Sequence, residues 1–211
     1  MPAASPFDQS AYQVRFEWGL DGLDRLAPSD VVVVVDVLRF SSTVVQAVER
    51  GEEVPLDAAA HAVSINGAAV AAAATGLVLL GGLRNAAAVA RAILAEQEHR
   101  GARTSIAVIA CGELTSRDPA APLRFAVEDL LGAGAVIDAL AGLGIDHSSP
   151  EAAVAGEGFR ALRGAAKHLL TASGSGRELD AAGRRDEVLA AAAVDAASVV
   201  PVLRDGTFVA L

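Results

Sequence analysis

VVVVVDVLRFSSTVVQAV, residues 31–48, is the stretch whose reading decides the fold. Five consecutive valines form a β-branched run of the kind buried on both faces inside a parallel sheet. Asp36 ends the run, Arg39 follows, and Ser41, Ser42 and Thr43 lead into a helical pattern. Thr43-Val44-Val45-Gln46 fits a capping box, and Gly51 stands where that helix would stop. The unit reads as strand, loop, helix. It sets an acid, a base and three hydroxyls at the carboxyl end of a central strand, where open α/β sheets place their ligands.

The remaining 193 residues are read outward from that unit. A chain of 211 residues, 53% hydrophobic, has ample length for a buried core, and no linker is clear enough to divide it. One domain over residues 1–211 is expected. The run Ala68–Leu80 is too short and too interrupted to span a bilayer, so no membrane contact is expected. The opening MPAASPFDQS has neither a basic start nor an apolar signal core, which gives a cytoplasmic address as the default. A formal charge of −9 argues against a nucleic-acid surface and leaves any anionic ligand to be held by local groups. The single cysteine, Cys111, excludes an internal disulfide and a cysteine zinc cage. The oligomeric state is left open, a homo-oligomer included.

Alternation over Tyr12–Trp18 predicts a half-buried strand, with a short helix or loop over Leu20–Leu26. Glu53–Leu56, Val78–Leu80 and Thr104–Ala110 read as further strands. Ser64-Ile65-Asn66-Gly67 reads as a turn and Gly81–Asn85 as a flexible loop. Asn85 is placed as N-cap of a helix Ala86–Arg100 closed by Gly101. A helix is predicted over Leu123–Leu140, and another from Ser149-Pro150-Glu151 carrying Phe159, Leu162 and Leu169. Gly174–Gly183 reads as a loop, Asp186 as the cap of a last helix to about Val199, and Asp205-Gly206 as a hairpin turn. Strands alternating with helices give a three-layer α/β/α fold with a mixed, largely parallel sheet.

The polar features fall just after the buried strands, so their loops should gather along one sheet edge. Arg39 can grip a phosphate or sulfonate as a fork. Ser42, Thr43 and the amides of a helix start can hold an anion. Asp36, Glu128 and Asp129 are oxygen ligands suited to Mg²⁺, which takes one or two carboxylates plus substrate phosphate. Each also has a plain structural reading: Asp36 as a turn stabiliser, Arg39 and Arg177 as surface charges, the hydroxyls and Asn85 as helix caps, Asn66 as a turn residue, Glu128 and Asp129 as acids favoured by a helix start, Cys111 as a small core residue. The four histidines follow no ligand spacing. The P-loop lysine pattern and the G-x-S-x-G elbow are absent. A strand-end Asp-x-Asp pair, the mark of aspartyl phosphatases, is broken by Leu38.

Asp36-Val37-Leu38-Arg39-Phe40-Ser41-Ser42-Thr43 resembles the Asp-Val-Leu-Arg-Ala-Ser-Thr-Thr motif of the 2-phosphosulfolactate phosphatase (ComB-like) family. Ser64-Ile65-Asn66-Gly67 is similar to that family's Thr-Asn-Gly turn, and Gly82-Leu83-Arg84-Asn85-Ala86 to its Leu-Asn-Ala segment. Ala110-Cys111-Gly112, Phe125-Ala126-Val127-Glu128-Asp129 and Ser175-Gly176-Arg177 resemble three later elements, in the family's order. The resemblance implies a Mg²⁺-dependent phosphatase acting on 2-phosphosulfolactate or a similar small acidic phosphate monoester, a step toward coenzyme M. It implies Asp36, Glu128 and Asp129 as catalytic or metal carboxylates. It implies Arg39, Ser41, Ser42, Thr43, Asn66 and Gly67, with Asn85, Cys111, Gly112 and Arg177, around the substrate. Phe40 stands where the motif has a small residue and is expected to crowd the loop, and the segment from Gly51 to Ser64 is shorter than the family's. That shortening supports a non-catalytic small-anion-binding homologue as the alternative. A structural or interaction protein is a third reading, which predicts an exposed apolar patch and no organised polar pocket.

Overall fold

The computed structural model describes residues 5–116, 118 and 120–211. Its strands are β1 (Val14–Trp18), β2 (Val31–Val35), β3 (Val54–Pro55), β4 (Leu77–Leu80), β5 (Ile106–Ala110), β6 (Glu113–Leu114), β7 (Leu123–Arg124), β8 (Pro201–Arg204) and β9 (Thr207–Ala210). Its helices are α1 (Gly19–Arg25), α2 (Phe40–Glu49), α3 (Ala58–Val63), α4 (Ile65–Ala73) and α5 (Ala86–Arg100), then α6 (Val127–Gly142), α7 (Pro150–Leu162), α8 (Ala166–Ala172), α9 (Gly174–Ala181) and α10 (Arg185–Ala191).

The valine run is the middle of a seven-stranded sheet ordered β1-β5-β2-β4-β8-β9-β3. β2 pairs in parallel with β5 on one side and β4 on the other, and β1 extends the parallel half. All five valines are buried because helices cover both faces. Val31, Val33 and Val35 point to the layer that holds α5, α6 and α7, whereas Val32 and Val34 point to the layer that holds α2 and α4. Each such side chain contributes roughly 1.5–3 kcal/mol, an upper figure for a fully extended reference chain. The fold is therefore a three-layer α/β/α sandwich with a mixed, largely parallel sheet. The hairpin β8–β9 supplies the antiparallel part, with Asp205 and Gly206 both left-handed at φ 49° and 77° as a tight primed turn requires. No helix among the described residues is long and apolar enough to cross a membrane.

Several local expectations change in the folded chain. The helix after β2 begins at Phe40, three residues before the expected cap, because the Ser41 hydroxyl closes the turn onto the Asp36 amide and the Val34 carbonyl. Phe40 does not crowd the loop: its ring is buried edge-on against Phe208, 5.9 Å away. Residues 64–67 are the start of α4, with the Ser64 hydroxyl accepting the Gly67 amide. Asn85 closes a 3₁₀ turn, Leu83–Asn85, but does not cap α5; Asp195 does so from the far end of the chain, taking the Ala87 amide at 2.8 Å. The segment Leu123–Arg124 is a strand paired with β6, so α6 starts only at Val127. Gly132 and Gly134 let α6 close on its neighbours: a Cβ on Gly134 would meet the Ala155 carbonyl at 2.2 Å. Leu169 lies on α8 rather than α7, and Leu162 is exposed. Residues 174–181 form α9, capped by Ser173, where a loop was expected. The last helix ends at Ala191, and Asp186 sits in its first turn rather than at its cap.

Candidate functional site

The chain leaves β2 toward one face of the sheet, where α2 packs, and leaves β5 toward the other, where α6 packs. The carboxyl ends of these adjacent parallel strands therefore open a crevice, as at the switch point of doubly wound sheets. A cleft of about 700 Å³ lies there. The sheet end of it is lined by Asp36, Arg39, Asn66, Gly112, Glu128 and Asp129. The opposite wall comes from the β6–β7 pair, with Glu113 and Arg124, and from α9 and the turn after it, with Ser175, Glu178 and Arg184. The N-terminal ends of α2, α4, α6 and α9 all contribute lining residues, so four helix dipoles present their positive ends to the cleft.

Asp36 is the first residue past β2 and is buried. Its Oδ2 accepts the Ser64 hydroxyl at 2.6 Å, and that same hydroxyl accepts the Gly67 amide at 2.9 Å. Gly67 is obligatory here, since a Cβ would stand 2.6 Å from Asp36 Oδ2 and 2.7 Å from the Phe40 ring. Burial pushes the Asp36 carboxyl up to about 6, against the opposing pull of the Ser64 hydroxyl, the Phe40 and Gly67 amides and the Arg39 charge.

Asp129, in the first turn of α6, joins the two loops that flank the crevice. Its Oδ1 accepts the Val37 amide at 2.7 Å and its Oδ2 the Gly112 amide at 2.9 Å. Burial, and then the charges of Asp36 and Glu128, hold its carboxyl well above the usual carboxylate range. Asn66 Nδ2 completes the tie by donating to the Gly112 carbonyl at 2.8 Å. Glu128 is 3% exposed, and its carboxylate lines the cleft with neither an ion pair nor a hydrogen bond among the described residues. For Mg²⁺, which takes one or two carboxylates with substrate phosphate, the cleft offers the side chains of Asp36 and Glu128. No group of three His, Cys, Asp or Glu side chains among the described residues could hold a metal ion, so the expected three-carboxylate set narrows, and Asp129 has both oxygens engaged by amides.

Arg39 is half-buried at the mouth of the Asp36 turn and makes no ion pair among the described residues. The other two cleft guanidinium groups are matched, Arg124 by Glu113 at 2.6 Å and Arg184 by Glu187 at 2.6 Å.

Of the residues singled out from the sequence, Asp36, Arg39, Asn66, Gly112, Glu128 and Asp129 meet in this cleft. The others do not line it. Ser41 and Ser42 spend their hydroxyls on the turn, Ser42 donating to the Val37 carbonyl at 2.8 Å. Thr43 is exposed on α2, and Gly67 acts from behind Asp36. Asn85 is buried elsewhere, its Nδ2 donating to the Leu80 and Val199 carbonyls. Cys111 is fully buried in the core, where burial and the nearby Asp36 and Asp129 charges push its thiol up, away from nucleophile chemistry. Arg177 is exposed on α9, off the cleft, because a helix there turns Ser175 and Glu178 inward instead. Ser64, Glu113, Arg124, Ser175 and Glu178 were not foreseen as site residues. For Ser64 the signal was present: a serine three residues before a glycine and ahead of an alanine run is a helix cap.

The family model for 2-phosphosulpholactate phosphatase matches residues 57–206. That span contains Asn66, Gly112, Glu128 and Asp129 and begins after the Asp36 turn. No curated protein matches the chain.

Proposed function

Because the chain belongs to the 2-phosphosulpholactate phosphatase family, we propose that the cleft beyond β2 and β5 hydrolyses a small phosphate monoester. The observation that carries this reading is the pairing of Arg39, a guanidinium without an ion pair among the described residues, with two buried carboxylates, Asp36 and Glu128, on the same cleft. Arg39 grips the phosphoryl oxygens. Asp36 and Glu128 are the residues that would hold Mg²⁺ beside the substrate phosphate, and the ion supplies neutralisation of phosphoryl charge. Asp36, fixed by Ser64, aligns the attacking water. Asp129 keeps the Val37 and Gly112 loops at the spacing the phosphate needs, so the donors are in place before the substrate arrives.

The test is phosphate release from a panel of small monoesters with and without Mg²⁺, for the native chain and for Asp36→Asn. Mg²⁺-dependent release that is lost in the variant supports the reading; undiminished release removes Asp36 from the mechanism. Binding of phosphate without release from any ester would favour a non-catalytic anion binder, the reading to which the doubly engaged Asp129 carboxylate lends weight.

A further inference from the structure

Asp36 and Glu128 reach the cleft from different segments, one just past β2 and the other in the first turn of α6. A closed circuit of hydrogen bonds joins those segments around the sheet end of the cleft. It runs from Asp36 Oδ2 to the Ser64 hydroxyl at 2.6 Å. Ser64 caps α4, and Asn66 lies two residues on, in the first turn of that helix. Asn66 Nδ2 donates to the Gly112 carbonyl at 2.8 Å. The Gly112 amide donates to Asp129 Oδ2 at 2.9 Å, and Asp129 Oδ1 accepts the Val37 amide at 2.7 Å. Val37 is the chain neighbour of Asp36, which closes the circuit. Two of its joints are tight. Gly67 seats α4 directly on the Asp36 turn, where a Cβ would stand 2.6 Å from Oδ2. Gly112 is left-handed at φ 65°, and Asn66 is the only donor to its carbonyl among the described residues.

We infer that Asn66 is a positioning residue: by anchoring Gly112 to the first turn of α4, it fixes the spacing between the Asp36 turn and the start of α6 that carries Glu128. This rests on the phosphatase reading above and adds a residue to that same site. It also departs from the place at the substrate that the family resemblance implies for Asn66. Without the Asn66 bond the Gly112 carbonyl loses its donor, and the left-handed turn is held by Asp129 alone. The start of α6 can then shift against α4. A displacement of about 1 Å among reacting groups costs about a hundredfold in rate. Arg39 is no member of the circuit and keeps its hold on the phosphate, so the loss falls on turnover and spares affinity.

The native chain is compared with Asn66→Leu, which keeps the bulk of the side chain without its donor, and Asn66→Gln, which keeps the donor on a longer arm. Steady-state phosphate release from small acidic monoesters gives kcat and KM. Solvent exchange of the Gly112 backbone amide, followed by heteronuclear NMR, reports on the circuit with no substrate present. Asn66→Leu should lower kcat about tenfold to a hundredfold and leave KM within about twofold of native. Its Gly112 amide should exchange about tenfold faster, the size of one lost hydrogen bond, with exchange in β2 unchanged. Asn66→Gln should recover most of both. A raised KM at unchanged kcat makes Asn66 a substrate contact and overturns the proposal. So does an unchanged kcat, or Gly112 exchange that either stays the same or accelerates together with the β2 amides, the mark of general destabilisation. Asn66→Ala supplies the same comparison should Asn66→Leu not fold. If the native chain releases phosphate from no ester, the phosphatase reading ends, and Gly112 exchange alone decides whether Asn66 holds the circuit.

Discussion

The Ser64 hydroxyl donates to Asp36 Oδ2 at 2.6 Å and accepts the Gly67 amide at 2.9 Å, so one oxygen both caps α4 and orients the carboxylate at the end of β2. The two residues are 28 positions apart in sequence and belong to different strand-to-helix connections. Removing the hydroxyl costs a cap and a charge-assisted hydrogen bond together. Ser64→Ala should lower stability by about 1–3 kcal/mol in urea denaturation, and Ser64→Thr by much less. Phosphate release should fall in the alanine variant and recover in the threonine variant.

The Asp36 carboxyl gives a pH dependence of definite sign. Its ordinary value is 3.8 and burial raises it to about 6. Between those limits the folded chain keeps a proton that the unfolded chain has released. Stability contributed by this group is therefore full below pH 3.8, declines as pH rises to about 6, and is absent above. Asp129 shifts in the same direction. Asp36→Asn should thus be more stable than the native chain at pH 7.5, by ~2–3 kcal/mol, with the difference vanishing near pH 4. Denaturation midpoints across that range check it. A native chain whose stability rises from pH 4 to 6 relative to the variant would contradict the assignment.

Glycine positions divide sharply by what a methyl group would meet. Gly67→Ala drives a Cβ into Asp36 Oδ2 and the Phe40 ring and should abolish phosphate release. Gly134→Ala places one 2.2 Å from the Ala155 carbonyl and should cost about 3 kcal/mol by separating α6 from α7. Gly158 has open space around its would-be Cβ within α7. Gly158→Ala should add about 0.5–1 kcal/mol without altering turnover. Thermal melts of the three variants, with turnover of the first and last, provide the comparison.

On the proposed reading Arg39 is the anion grip, so its loss should appear in substrate affinity. Arg39→Gln is expected to raise KM about tenfold or more. Arg39→Lys should restore little, because a single ammonium cannot reproduce the two-pronged geometry. Equal KM values for native and glutamine forms in steady-state kinetics would move the phosphate elsewhere.

Mg²⁺ should also report on the two buried carboxylates directly. If Asp36 and Glu128 hold it, added Mg²⁺ raises the native melting temperature, and Asp36→Asn and Glu128→Gln each suppress that rise. A rise of equal size in all three chains would place the ion outside this cleft.

The sequence by itself determined the central strand, the parallel core around it, the closing hairpin and the residues at the sheet end of the cleft. These follow from short-range causes: a β-branched run too apolar to face water, glycines at left-handed positions, and acids and bases placed just beyond strand ends. Only the tertiary structure decided which polar residues meet. Asn85 sits in a motif position yet is drawn inward by the Leu80 and Val199 carbonyls, and Arg177 is turned outward because residues 174–181 coil into a helix. Ser64 and Ser175 enter the cleft for the converse reason, that α4 and α9 aim their N-terminal ends at it. Contacts of this kind depend on how helices from distant parts of the chain lie against one sheet edge, and no local pattern encodes that distance.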